Sequence, residues 1–67
     1  MPLYIDVCTY DDYDKVVRYL LEHEIHITDR NKMRMFVGAE ISEEQTKRMI
    51  KEISPKETIT FGPTPLG

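Results

Sequence analysis

Tryptophan is absent, cysteine occurs once and glycine three times in the 67 residues of this chain, and each scarcity closes off a class of function. The one thiol, Cys8, has no partner for an internal disulfide, so the fold does not depend on an oxidising compartment and a cytoplasmic location is expected. Gly38, Gly62 and Gly67 are too scattered to gather backbone N–H groups around a phosphate, which removes the glycine-rich nucleotide loop, and no cofactor is expected. No segment approaches the roughly 20 apolar residues of a membrane span. Asp6, Asp11 and Asp12 break up what would otherwise read as an apolar leader. Basic charge is also short: 9 Lys and Arg against 12 Asp and Glu give a formal net charge of −3. The two signs are interspersed, which disfavours broad attraction to nucleic acid or anionic lipid. The length fits one domain near the lower end of what folds without staples, a size at which further burial in a homodimer is useful.

What is present is a succession of periods. Leu3, Ile5 and Val7 alternate with Tyr4, Asp6 and Cys8, which predicts a strand over 3–9 with one apolar face. Tyr13, Val16, Val17 and Leu20 then recur at helical spacing, and Asp11 or Asp12 is expected to cap that helix. Ile25 and Ile27 alternate with His26 and Thr28. A polar break from Asp29 to Lys32 follows, and Met33, Met35 and Val37 alternate again, predicting two strands joined by a short turn. Ser42 and Gln45 fit a capping box opening a second helix, with Thr46, Met49, Ile50 and Ile53 inward and Pro55 as its stop. Its charge-rich outer side, including Lys47, Arg48 and Lys51, reads as a solvated face. Thr58 to Phe61 form a last short strand, and 62–67, with Gly62, Pro63 and Pro65, are expected to be an extended tail that cannot continue a sheet.

The order βαββαβ predicts an α+β, ferredoxin-like domain over 1–61: a four-stranded antiparallel sheet with both helices on one face. Its first and third strands should be central. Pairing Leu3 with Val37, Ile5 with Met35 and Val7 with Met33 buries every apolar member, and a one-residue slip would expose them all. The same register sets Tyr4 opposite Phe36 and Asp6 opposite Arg34 on the uncovered face. Tyr4, Asp6, Arg34, Phe36 and His26 are therefore the candidate binding surface. Tyrosine, phenylalanine and arginine are types that dominate binding energetics, although cross-strand pairs also serve simply to fix strand pairing.

Two partial resemblances bear on that face and its surroundings. Leu3-Tyr4-Ile5, and Lys32 with Phe36-Val37, resemble the strand motifs of the RNA-recognition motif family, with Tyr4 in the stacking position. Met33 and Arg34 stand where that family has a glycine and another stacking aromatic. The resemblance implies RNA or single-stranded nucleic-acid binding, with the Arg34 guanidinium able to stack on a base. Tyr10-Asp11-Asp12 after the first strand, and Phe36 to Ser42 leading into the second helix, are similar to the small CRISPR-associated nuclease that accompanies the spacer integrase. That resemblance implies Mg²⁺ held by Asp11 or Asp12, with a carboxylate from each protomer of a dimer and water activated against a phosphodiester.

His23 and His26 lie at element boundaries without the three or four converging ligands of a zinc site, so no metal or catalytic residue is assigned to them. The leading expectation is a small non-enzymatic interaction or regulatory module. It would bind a protein partner or a second copy of itself through the open sheet face or the sheet edges.

Overall fold

The computed structural model describes residues 2–56 and 58–64, and within them the order of elements is βαββαβ. The elements are β1 (Leu3–Asp6), α1 (Tyr10–Glu22), β2 (Ile27–Asn31), β3 (Arg34–Val37), α2 (Glu43–Ile53) and β4 (Thr60–Pro63). They form a four-stranded antiparallel sheet of order β2-β3-β1-β4, the ferredoxin-like arrangement expected from the periods. The central register is the expected one. Leu3 pairs with Val37, Tyr4 with Phe36, Ile5 with Met35 and Asp6 with Arg34, and the Val7 N–H donates to the Met33 carbonyl at 3.0 Å. One face of the sheet gives Leu3, Ile5, Met35 and Val37 to a core completed by Val16 and Leu20 of α1 and Met49 and Ile50 of α2. No helix among the described residues is long and apolar enough to cross a membrane.

Several boundaries differ from the sequence reading, each for a physical reason. Strand β1 ends at Asp6 because Thr9 is the N-cap of α1, its hydroxyl accepting from the Asp12 N–H at 3.1 Å. Asp11 and Asp12 instead occupy the first turn, where a carboxylate meets the positive end of the helix dipole. At the other end of α1, Glu24 takes a left-handed φ of 57°. The Ile25 N–H then donates to the Leu20 carbonyl at 2.8 Å and the Glu24 N–H to that of Leu21 at 3.1 Å, a Schellman motif. Ile25 is thereby tied to the helix and buried beside Leu20, so β2 cannot begin there. It runs instead through the polar residues Asp29, Arg30 and Asn31, which suit an exposed edge strand. Lys32, with φ 56°, and Met33 make the two-residue turn into β3.

The second helix begins as expected, with the Ser42 hydroxyl accepting from the Gln45 N–H at 3.1 Å, and ends at Ile53 before Pro55. The last strand does not stop at Phe61. Gly62 pairs with Tyr4 and Pro63 with Leu3, and the Thr64 N–H donates to the Pro2 carbonyl at 3.0 Å. Thr64 and Pro2 therefore form a hydrogen-bonded pair, and by antiparallel alternation Pro63 directs its donorless nitrogen away from β1. An edge strand accepts a proline in that position. The remainder of the expected tail, 65–67, lies outside the described residues.

Candidate functional site

Helices cover one side of the sheet, and on the other Tyr4, Asp6, Arg34 and Phe36 come together, all half-buried. Alternation in β1 and β3 places them: each apolar neighbour that enters the core sends these side chains the opposite way. Arg34 grips Asp6 with two parallel hydrogen bonds, Nε to Oδ1 at 2.6 Å and Nη2 to Oδ2 at 2.8 Å. This fork-on-carboxylate geometry suits arginine and would be lost with lysine. The hydrogen bonds to Asp6 push the Arg34 guanidinium further above its ordinary value, against a smaller opposing effect of desolvation. The guanidinium carbon also lies 4.1 Å from the centre of the Tyr4 ring, a cation–π contact.

Gly62 is a member of this face that the sequence reading placed in a tail. It sits opposite Tyr4 on β4, and a Cβ built there would lie 2.7–2.9 Å from Oη, Cζ and Cε2 of Tyr4. The phenol ring occupies the space a side chain would fill and buries the glycine, the way an aromatic covers a glycine in an edge strand. The available signal was a tyrosine and a glycine at pairing positions, hidden by reading Gly62-Pro63 as a stop.

His26 does not belong to this constellation. It lies in the connection between α1 and β2, with its backbone N–H donating to Glu40 Oε1 and its ring Nδ1 on Glu40 Oε2, both at 3.1 Å. The two hydrogen bonds, helped by the ring's charge, hold the Glu40 carboxyl below its ordinary value of 4.5. A carboxyl depressed by folding contributes stability above its unfolded value, and that contribution is lost as pH falls through the folded one. Glu40→Gln is therefore expected to lower stability modestly at neutral pH, to converge on the parent once the carboxyl is protonated, and so to flatten the pH dependence below about 4.5, read from urea midpoints across an acid series. An acid limb identical to that of the parent would show that the pair does not persist in solution. Thr28 and Thr58 are engaged outside this constellation as well. Thr28 is the residue skipped at the β2–β3 register shift, its hydroxyl donating to the Phe36 carbonyl, and Thr58 precedes β4 and donates to Asp12.

The two aspartates of the nuclease resemblance are engaged locally. Asp11 forms an ion pair with Lys15 one turn along α1 at 3.1 Å, and Asp12 Oδ2 accepts from the Thr58 hydroxyl at 3.0 Å. Among the described residues no three His, Cys, Asp or Glu side chains converge as metal ligands do. No family model matches the chain, no curated protein matches it, and no solved structure matches it. Its chemistry is read from its own surfaces.

Proposed function

We propose that the protein is a small non-enzymatic interaction module, of regulatory or adaptor kind, that docks on protein through the open sheet face. The occupant this face fits best is a second copy of itself. The observation that carries this reading is the bidentate Asp6–Arg34 pair set beside Tyr4 and Phe36. Such a patch is amphipathic and holds both signs of charge. A twofold axis through it would set aromatic against aromatic and each Arg34 near the other subunit's Asp6, the self-complementarity an isologous interface needs. Nucleic-acid binding on the same surface is less well supported. The Arg34 guanidinium that would meet a base or phosphate is already held by Asp6, and Asp29, opposite Phe36, adds a second carboxylate to the face. We place the module in the cytoplasm, where the exposed thiol of Cys8 would remain reduced.

Light scattering coupled to size exclusion, at several concentrations and with or without a short single-stranded RNA, tests the proposal. A dimer indifferent to RNA is the expected result, and Tyr4→Ala with Phe36→Ala should convert it to a folded monomer with an unchanged far-UV spectrum. A parent monomer, or a complex that forms only with RNA, would overturn self-association through this face.

A further inference from the structure

A second surface, independent of the open face, lies between α2 and the edge strand β4. A groove of about 740 Å³ there has Ile50, Ile59 and Phe61 as its apolar lining and Lys47, Arg48 and Lys51 on its rim. All three cations are exposed, and none forms an ion pair among the described residues. This basic cluster stands out on a chain whose net charge is −3. No described strand pairs with the outer side of β4. The Thr64 to Pro2 hydrogen bond makes 2/64, 4/62 and 6/60 the bonded pairs of β1 and β4, so the N–H and C=O of Phe61 point away from β1, toward the outer edge of the sheet. Pro63 offers no donor beyond it, which keeps the usable edge short and blunts it against indiscriminate strand pairing.

We infer that this groove takes an extended acidic peptide. It would add beside β4 at Phe61 with an apolar side chain on the Ile50–Ile59–Phe61 floor and flanking carboxylates on Lys47, Arg48 and Lys51. Strand addition supplies the main-chain pairing, and residues two apart on the peptide share the helix-facing side, about 7 Å from one to the next. A nucleic-acid strand fits less well, because aliphatic Ile50 and Ile59 give a base no stacking plane and a phosphodiester has no use for the Phe61 edge.

The probe is the heptapeptide Thr-Glu-Thr-Val-Thr-Glu-Thr titrated into the ¹⁵N-labelled full chain, against its counterpart with lysine in place of both glutamates and against a short oligouridine. The glutamate peptide should move the Phe61 amide and its neighbours in β4 and bind about tenfold tighter than the lysine peptide, with affinity falling as salt is raised. Lys47→Glu with Lys51→Glu should reverse the preference, whereas Tyr4→Ala with Phe36→Ala should leave it intact. No shift at Phe61 with either peptide, equal affinity for both, or shifts produced by oligouridine alone would overturn the inference. Because the open-face variant is part of the series, failure here is separable from failure of the dimer.

Discussion

Ile5→Ala is expected to leave the chain largely unfolded at 37 °C, or to lower its urea midpoint so far that no native baseline remains. Ile5 is fully buried at the centre of β1, paired with Met35 on one side and Phe61 on the other, and faces the core shared with Val16, Leu20 and Met49. Truncating an isoleucine in such a place costs about 2–5 kcal/mol, the lost transfer energy plus the cavity left behind. A domain of 67 residues has only about 3–10 kcal/mol in total. The cost is therefore of the same order as the whole stability, and no other layer of core can compensate. Leu21→Ala is the control, since that side chain is 68% exposed and its truncation should change stability by no more than about 0.5 kcal/mol. Both are read by circular dichroism during urea unfolding. A loss below 1 kcal/mol at Ile5 would mean that the pairing with Met35 and the inward face of β1 are wrong.

The same core explains why much of the fold was legible beforehand. In β1 and β3 the aliphatic residues fall at every second position, Leu3 and Ile5 against Met35 and Val37, so a one-residue slip would expose one set, and Ile5 against Met35 followed from that pattern. Where backbone conformation departs from what a residue type advertises, the reading failed. Glu24 adopts a left-handed turn usually taken by glycine, so nothing in the sequence marked the capping turn that draws Ile25 out of β2. Thr9 looked like strand and proved to be a cap. Gly62 and Pro63 looked like breakers, yet an edge strand has a side on which a missing N–H costs nothing.

The candidate site divided along the same line. Asp6 opposite Arg34 and Tyr4 opposite Phe36 are consequences of register and were foreseen. The Glu40 partner of His26 and the cover that Tyr4 gives Gly62 depend on loop path and edge geometry, which periodicity does not encode. Lys47, Arg48 and Lys51 read as ordinary solvated charge until β4 was seen to run beside them. The partner leaves a weaker mark still, because tyrosine, arginine and phenylalanine on a sheet serve many kinds of contact.

Gly62→Ala is expected to rearrange the open face without unfolding the domain. The added methyl would sit 2.7–2.9 Å from three atoms at the far end of the Tyr4 side chain, closer than carbon tolerates, so the ring must swing away. Its stack with the Arg34 guanidinium would be broken by the same movement, while the Asp6–Arg34 hydrogen bonds, which do not involve the ring, should survive. Two opposed effects act on stability. Alanine stiffens the unfolded chain and favours the strand by about 0.5–1 kcal/mol relative to glycine, and loss of the Tyr4 cover works against it, so the net change should stay within about 1 kcal/mol. The face itself should change far more, with large shifts of the Tyr4 ring and Arg34 Nε resonances and at least a tenfold loss of self-association if two copies meet there. Made in a Tyr4→Ala background, the same substitution should become stabilising, because the obstructing ring is gone. A double-mutant cycle in urea reads that change of sign directly. Additive single effects would mean that the Tyr4 ring does not rest on Gly62 in solution, and the aromatic half of the open face would then have to be rebuilt around Phe36 alone.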